Sequence, residues 1–414
     1  MSLNGSPSAE RTHIGFFGCR NAGKSSLVNA VTGQALSIVS EIGGTTTDPV
    51  QKAMELKPLG PVVIIDTPGL DDEGSLGDLR VKRAEDTLKR VDVAVLVVDA
   101  ERGLSGFDEA LLDRIREMEL PHIIAWNKCD LQGALPPTGV EGVLPPAEVE
   151  GILPVSSLTG EGVHAFKEAL ARVIPEDGGV RLAGDLVENG DVVVLVCPID
   201  ESAPKGRLIL PQQQVIRDLL DAGVLPVVCR ETELAKTFER LSGMPKMVIT
   251  DSQVFSVVSE IVPDEVPLTS FSILMARYKG FLHAAVEGIA AVDGLKDGDK
   301  VLLAEGCTHH RQCGDIGSVK IPRWLKKYTG LDLEIETCSG RDFPEDLSPY
   351  SLVIHCGGCM LTDTVIKYRM GTALSQGVPF TNYGIAIARM TGTLERSLRV
   401  FPELHAFVVS EDNR

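Results

Sequence analysis

The segment GCRNAGKS, residues 18–25, constrains the fold of this chain more than any other feature. It fits the pattern G-x-x-x-x-G-K-[ST], begins where the apolar run HIGFFG ends and precedes a helical pattern, which is the setting of a P-loop. Glycines in such a loop let backbone N–H groups close around phosphates at a helix N-terminus. We therefore predict an α/β nucleotide-binding domain in which Lys24 contacts the β- and γ-phosphates and Ser25 binds Mg²⁺. A glycine turn that binds no phosphate is the alternative that this pattern alone leaves open.

A second segment, PVVIIDTPG, adds two residues that would respond to the γ-phosphate. It places Asp66 at the end of an apolar strand, where the carboxylate is expected to bind Mg²⁺ through water. Gly69 follows three residues later, where its backbone N–H is expected to sense the γ-phosphate. Together with the P-loop, this segment predicts hydrolysis of a nucleoside triphosphate.

Two further strand ends predict that the base is guanine. The segment HIIAWNKCD ends with Asn127, Lys128 and Asp130, and the segment ILPVSSLTG contributes Ser156 and Ser157. The Asp130 carboxylate would accept two N–H bonds from guanine, and adenine would leave these acceptors unpaired. The residues predicted to bind GTP are Gly18, Asn21, Ala22, Gly23, Lys24, Ser25, Ser26, Asn127, Lys128, Asp130, Ser156 and Ser157.

A fifth segment, GGTTTDP at residues 43–49, lies between the P-loop and Asp66. With it, the chain resembles the translation-factor-like GTPases, in particular the branch of tRNA-modifying and ribosome-assembly GTPases, whose switch I reads G-T-T-R-D. The resemblance implies that Thr46 binds Mg²⁺, with Thr45 and Thr47 as alternatives. The catalytic set that this implies is Lys24, Thr46, Asp66 and Gly69.

Two residues bear on the rate of hydrolysis. Potassium-activated members of this branch carry an asparagine at the P-loop position of Asn21, so the resemblance implies a K⁺ ion there that neutralises developing phosphate charge. A simple polar turn residue is the alternative reading of Asn21. Leu70 stands where signalling GTPases carry a glutamine that orients water, so we expect slow intrinsic hydrolysis.

Beyond the GTPase segments, strand-like and helical patterns alternate, which predicts two smaller α/β domains with parallel sheets. We place the domain boundaries at residues 1–174, 175–262 and 263–414. The middle domain shows no catalytic set, and we assign it to dimerisation. In the last domain, the run ILMARYKGFLHAAVEGIAAV, residues 273–292, predicts a single helix.

Two clusters of soft metal ligands, CTHHRQCGDIG at residues 307–317 and HCGGC at residues 355–359, each follow an apolar strand. Because ligands gather at the carboxyl ends of strands in an open parallel sheet, we expect the two clusters to meet. The spacing leaves two metals open. Cys356 and Cys359 are spaced to hold one edge of an iron–sulfur cluster. A structural zinc ion would use the four ligands Cys307, His309, Cys356 and Cys359.

Cys-x-His followed by a distant His-Cys-x-x-Cys, behind a GTPase with G-T-T-T-D, resembles the [FeFe]-hydrogenase maturation GTPases of the HydF family. The resemblance covers all three predicted domains. It implies that Cys307, Cys356 and Cys359 bind a [4Fe–4S] cluster, with His309 and His355 as further candidate ligands. One iron is then left without a cysteine, so its ligand is exchangeable.

The same resemblance implies a homodimeric scaffold. It would accept a transient diiron precursor made by two radical S-adenosylmethionine enzymes and deliver it to apo-[FeFe]-hydrogenase. The expected cofactors are GTP, Mg²⁺, K⁺ and the [4Fe–4S] cluster. Cys313 and Cys338 are not part of the family pattern, and we interpret them as structural.

Composition bears on partners and compartment. The formal net charge of −18 opposes nonspecific binding to nucleic acid, whose affinity comes mostly from neutralised phosphates. Without a long apolar run or a secretory signal, we expect a cytoplasmic protein with no membrane partner and with reduced cysteines. The alternative function is an RNA- or ribosome-associated GTPase with a C-terminal structural zinc site, which metal analysis would distinguish.

Overall fold

The computed structural model describes residues 8–33, 50–67, 84–131, 151–174, 180–199, 208–306, 316–340 and 342–412. The chain divides into two compact units, Met1–Gly178 and Gly179–Arg414. The predicted boundary near residue 174 lies close to this division. Among the described residues, no helix has both the length and the apolar character that crossing a membrane requires.

The first unit contains a six-stranded sheet in the order β2-β3-β1-β4-β5-β6. All neighbouring strands are parallel except β2, which is antiparallel to β3. The strands are β1 (Thr12–Phe17), β2 (Val50–Leu56), β3 (Gly60–Asp66), β4 (Val93–Asp99), β5 (His122–Asn127) and β6 (Ile152–Val155). The helices are α1 (Lys24–Thr32), α2 (Gly106–Glu117) and α3 (Val163–Val173), and residues 84–88 are also helical.

Both faces of this sheet are covered, so its central strands are apolar on both sides. Phe16 packs in one core with side chains of α1 and α3, whereas its neighbour Phe17 packs in a second core with side chains of α2. The same alternation holds along β3 and β4, since successive side chains of a strand point to opposite faces. The parallel strands therefore end at one edge, where the P-loop and the guanine segments follow.

The second unit contains two four-stranded sheets, in the orders β10-β9-β7-β8 and β12-β11-β13-β14, and every neighbouring pair is parallel. This confirms the predicted fold class. The strands are β7 (Val192–Val196), β8 (Leu225–Cys229), β9 (Met247–Thr250), β10 (Leu268–Ser270), β11 (Lys300–Glu305), β12 (Glu334–Ser339), β13 (Leu352–His355) and β14 (Phe380–Asn382).

Ten helices of the described residues surround these two sheets. They are α4 (Leu210–Asp221), α5 (Leu234–Arg240), α6 (Phe255–Ile261), α7 (Phe271–Tyr278), α8 (Leu282–Gly288), α9 (Ile321–Thr329), α10 (Asp363–Ser375), α11 (Tyr383–Met390), α12 (Leu394–Leu398) and α13 (Pro402–Asp412). One continuous hydrophobic core joins side chains from Leu182 to Val408. The division of this unit at residue 262 stays a prediction. Strand β10 lies beyond that residue and pairs with β9 of the sheet that contains β7 and β8.

The single helix predicted over residues 273–292 is wrong. The chain forms α7 and α8 with a break at Gly280, followed by a 3₁₀ segment, Ile289–Gly294. Gly280 has a φ of 77°, a left-handed conformation that ends a helix and that glycine adopts without strain. The apolar run continued through the break because Phe281 is fully buried, so hydrophobic periodicity did not reveal it.

Candidate functional site

The P-loop connects β1 to α1, and its backbone requires glycine at two positions. Gly18 and Gly23 have φ angles of 136° and 91°, which side chains rarely adopt. A Cβ atom at Gly18 would lie 2.2 Å from the carbonyl oxygen of Val97, and one at Gly23 would lie 2.2 Å from Nδ2 of Asn127. The loop is thus held tightly against β4 and β5. Its backbone groups are placed at the helix N-terminus, where phosphates bind.

Lys24 is buried, and its ammonium group lies inside the P-loop. Nζ donates to the carbonyl oxygens of Gly18 and Cys19 over 2.8 and 2.9 Å. These bonds hold the side chain across the loop, close to where the phosphates of a nucleotide would lie. The position agrees with the predicted role of Lys24.

Asp66 and Ser25 form the part of the predicted Mg²⁺ site that the structure describes. Ser25 Oγ donates to Asp66 Oδ2 over 2.7 Å, while Asp66 Oδ1 is buried and has no hydrogen-bond partner among the residues that the structure describes. Burial raises the pKa of Asp66, and the hydrogen bond from Ser25 and the charge of Lys24 oppose that rise. An unpartnered buried carboxylate oxygen beside a hydroxyl group fits a divalent cation, because a cation satisfies both oxygens.

Asn127 links the P-loop to the loop after β6. Its Nδ2 donates to the carbonyl oxygen of Ala22 over 2.8 Å, and its Oδ1 accepts from the backbone N–H of Ser157 over 3.1 Å. Lys128 forms an ion pair with Asp99 over 2.5 Å. Asp99 was not among the residues predicted from the sequence. The sequence feature that could have identified it is a carboxylate at the end of the apolar strand VAVLVVD, as Asp66 ends another apolar strand.

The remaining base-side residues differ in exposure. Asp130 follows β5 in a turn and is exposed, so its carboxylate is free to meet a base from solvent. Ser156 is fully buried, and its Oγ accepts from the N–H of Thr159 over 3.1 Å. Ser156 therefore shapes the loop, and the Ser157 backbone fixes Asn127.

Several predicted residues need only a brief account. Asn21 is exposed and has a left-handed φ of 63°, a conformation that asparagine adopts more readily than most residues. Ser26 is exposed on α1. Thr46, Gly69, Cys307 and His309 lie outside the described residues, as do Thr45, Thr47, Leu70 and Cys313.

In the second unit, β11 and β13 are neighbours and end at the same edge of their sheet. Cys356 follows β13, and its Sγ accepts hydrogen bonds from the backbone N–H groups of Gly306 and Gly358 over 3.1 and 3.4 Å. Gly306 directly follows β11 and directly precedes Cys307. The sheet thus brings the chain leading into the first ligand cluster against the first cysteine of the second.

Cys356 and Cys359 are two half-buried thiols that interact with each other. Burial raises the pKa of both groups, that of Cys359 to about 12, and the two amides on Cys356 act against its rise. Sulfur atoms that accept backbone N–H bonds in an apolar setting suit thiolate ligation of an iron–sulfur cluster. Metal binding would displace the thiol protons. Among the residues that the structure describes, no group of three or more metal-ligating side chains lies together.

His355 is fully buried, and both of its ring nitrogens are occupied. Nε2 lies 3.0 Å from Nη1 of Arg369, and Nδ1 lies 2.7 Å from the carbonyl oxygen of Cys356. Because arginine only donates, Nε2 accepts and Nδ1 carries the proton. Burial and the charge of Arg369 lower the pKa of His355 to about 3. These contacts favour a positioning role, and metal ligation by His355 stays a prediction.

Comparison with protein families bears on both units. Residues 182–280 match the hydrogen maturase F dimerization domain, and residues 283–400 match the hydrogen maturase F tetramerization domain. These two models together span more than half of the chain, and residues 13–128 match the 50S ribosome-binding GTPase model. The chain belongs to the HydF family. Its domain content is that of a hydrogenase maturation GTPase.

Curated relatives that are GTPases match part of this chain. The tRNA modification GTPase MnmE of Laribacter hongkongensis is 34% identical over 170 residues, which are 41% of this chain and 36% of that protein. GTPase Era of Caldicellulosiruptor saccharolyticus is 36% identical over 120 residues, 28% of this chain and 40% of that protein. This HydF chain therefore spans well under half of these relatives.

Solved structures give the same picture. A probable GTP-binding protein engB is 26% identical and covers 39% of this chain and 98% of its own, with a TM-score of 0.30. The G domain of the T. maritima FeoB iron transporter is also 26% identical and covers 40% of this chain and 100% of its own, with a TM-score of 0.30. The two HydF family models match residues within the second unit.

Proposed function

We propose that this HydF-family protein is a GTP-hydrolysing scaffold that holds a [4Fe–4S] cluster. It receives a diiron precursor and delivers it to apo-[FeFe]-hydrogenase. The observation that carries the proposal is the edge shared by β11 and β13. There, the amide next to Cys307 binds the sulfur of Cys356.

The nucleotide half of the proposal rests on the P-loop. Lys24 would contact the phosphates, the hydroxyl of Ser25 would hold Mg²⁺, and the carboxylate of Asp66 would bind the ion through water. Thr46 completes the metal ligands, and Gly69 senses the γ-phosphate. Bound Mg²⁺ supplies positive charge that stabilises the charge developing on the transferred phosphoryl group. We further propose that Asn21 holds K⁺ and that hydrolysis without it is slow.

The cluster half of the proposal rests on the thiols of Cys356 and Cys359. Cys356 and Cys359, with Cys307, supply three thiolates, and His309 is a candidate for the remaining iron. The N–H groups of Gly306 and Gly358 hold the sulfur of Cys356 in place and stabilise its negative charge. A cluster with one iron free of cysteine has a position at which a diiron unit can attach. The precursor comes from two radical S-adenosylmethionine enzymes in this proposal.

The proposal also includes an oligomer, in which a second copy of the chain binds at β8. This strand lies at the edge of its sheet, and Leu225 and Val228 are 58% and 44% exposed. Leu220 at the end of α4 is also exposed. Residues 182–280 match a dimerization domain, and exposed apolar side chains at a sheet edge are the surface that such a domain would bury. We propose that this edge strand forms part of the homodimer interface.

Anaerobic reconstitution with iron and sulfide tests the cluster assignment. The wild-type protein and the variants Cys307→Ala, Cys356→Ala and Cys359→Ala are compared for iron and sulfide content and for their electron paramagnetic resonance spectra. Each variant should lose most of the cluster. Cys197→Ala is the matched control, because Cys197 is a buried thiol beside Cys229, and it should keep wild-type content.

Two results would contradict the proposal. A full cluster in any one of the three variants would require another ligand set. Stoichiometric, colourless zinc in protein purified without oxygen would instead support an RNA- or ribosome-associated GTPase with a structural metal site.

A further inference from the structure

The cysteine edge is the sheet edge at which β11 and β13 end beside Cys356. Arg369 is a buried charge at this edge, and the proposed function assigns it no role. It lies on α10, the helix that follows HCGGC, and only 3% of it is exposed. Its guanidinium group contacts the ends of three strands. Nη1 donates to the carbonyl oxygen of Glu305 over 3.4 Å and to Nε2 of His355 over 3.0 Å, and Nη2 donates to the carbonyl oxygen of Gly340.

These bonds tie together β11, β12 and β13 where their carboxyl ends meet. Glu305 ends β11, His355 ends β13, and Gly340 directly follows β12. The guanidinium also stacks on Phe343, with Cζ 5.0 Å from the ring centroid. Arg369 therefore fixes the positions from which the chain continues toward the cluster cysteines.

The charge of Arg369 has no carboxylate partner among the described residues, although comparable arginines of the same unit do. Arg277 pairs with Asp185, Arg389 with Asp293, and Arg396 with Asp264. Burial lowers the pKa of Arg369, and among the described residues the thiols of Cys338 and Cys356 oppose that shift.

A buried, unpaired charge costs folding free energy unless something compensates for it. Arginine stays protonated in proteins, so it does not avoid this cost by losing its proton. The three acceptors around Arg369 are neutral. A negative group bound beside Cys356 would compensate the charge, and a thiolate-ligated iron–sulfur cluster is such a group.

We propose that Arg369 is a positioning residue that aligns the three strand ends and supplies a fixed positive charge to the cluster. This inference rests on the proposed function. A nearby positive charge favours the reduced, more negative cluster, so Arg369 raises the reduction potential and strengthens cluster retention. A purely structural tie would stabilise the fold and leave the potential unchanged.

The test compares Arg369→Gln, Arg369→Met and Arg369→Lys in the whole chain after anaerobic reconstitution. Potentiometric titration followed by electron paramagnetic resonance gives the potential, and dialysis against an iron chelator gives cluster retention. Both neutral variants should shift the potential to more negative values and lose the cluster about tenfold faster, as found for outer partners of metal ligands. Arg369→Lys keeps the charge and should keep a near-wild-type potential.

Arg396→Gln is the matched control. Arg396 also donates to three backbone carbonyl oxygens, those of Ser259, Val262 and Pro263, and burial also lowers the pKa of its guanidinium. None of these partners belongs to the cysteine edge. The control should lower the unfolding temperature and leave the potential unchanged.

Four results separate the possible failures. A folded neutral variant with the wild-type potential overturns the inference, as does a shift of equal size in Arg369→Lys. If the wild-type protein takes up no iron and sulfide, the proposed function itself fails. If neither neutral variant folds, a structure of the reconstituted wild-type protein decides. A carboxylate paired with Arg369 overturns the inference, and a cluster sulfur as its nearest anion supports it.

Discussion

Asp66 Oδ1 is a buried oxygen atom without a hydrogen-bond partner in the described part of the chain, and this links metal binding to stability. The carboxyl group is desolvated, so its pKa is raised above the ordinary 3.8. A group with a raised folded pKa stabilises the fold below its unfolded pKa, and this contribution is lost as the pH rises through the folded pKa. At neutral pH, the nucleotide-free protein therefore carries a desolvated carboxylate that lowers its stability.

We expect Asp66→Asn to remove this pH dependence. Without Mg²⁺, the wild-type protein should lose stability relative to the variant as the pH rises above 3.8. Mg²⁺–GDP at a hundredfold excess over its Kd should stabilise the wild-type protein by about 2.7 kcal/mol and the variant by less. Scanning calorimetry of both proteins at stepped pH, with and without Mg²⁺–GDP, makes the measurement. Parallel pH profiles for the two proteins would contradict the prediction.

Asp130 permits a specificity test because its exposed carboxylate is expected to accept two N–H bonds from guanine. Asp130→Asn replaces one acceptor oxygen with a donor. Each lost bond to a charged group is worth about 1.5–3 kcal/mol, so GTP affinity should fall at least about tenfold. Titration calorimetry measures this, and Asp113→Asn, an exposed aspartate on α2, is the control. Unchanged GTP affinity in Asp130→Asn would exclude the guanine contact.

At the scale of elements, the edge strand β8 carries the dimer prediction. Val228→Lys places a charge on the exposed edge strand β8. This variant should weaken self-association about tenfold or more, without a large change in unfolding temperature. Light scattering coupled to gel filtration over a dilution series measures the Kd. Leu158→Lys, at a position 86% exposed in the other unit, is the control and should have no effect. Equal dimer fractions for Val228→Lys and the wild-type protein would place the interface elsewhere.

The sequence predicted those elements whose signals are local. The P-loop combines a strand pattern, glycines and a lysine within thirteen residues, 13–25, and both ligand clusters follow apolar strands. The break at Gly280 escaped detection because apolar residues continue on both sides of it. The pair of Lys128 and Asp99 and the bonds of Arg369 join distant segments, and no short-range pattern encodes which strand ends become neighbours.

At the scale of the whole molecule, a GTPase unit and a cysteine-bearing unit share one chain. We expect the nucleotide state to alter the affinity for the maturation partners, because switch segments reorganise when the γ-phosphate is lost. A non-hydrolysable GTP analogue and GDP should give affinities for apo-hydrogenase that differ at least about fivefold. This ratio corresponds to about 1 kcal/mol, the lower end of typical coupling free energies. Surface plasmon resonance with reconstituted protein measures this. Lys24→Ala should bind equally in both conditions, and identical affinities in the wild-type protein would remove the coupling.

The amide bonds to Cys356 have a practical consequence for anyone who wishes to retune this protein. Both donors belong to the main chain, so ordinary side-chain exchange at Gly306 or Gly358 does not delete them, and only proline removes an N–H group outright. For the proposed cluster, charges outside this loop, such as that of Arg369 on α10, offer a side-chain route to its reduction potential. Laboratory evolution that samples point mutations should return to that helix more often than to the loop that contains the sulfur atoms.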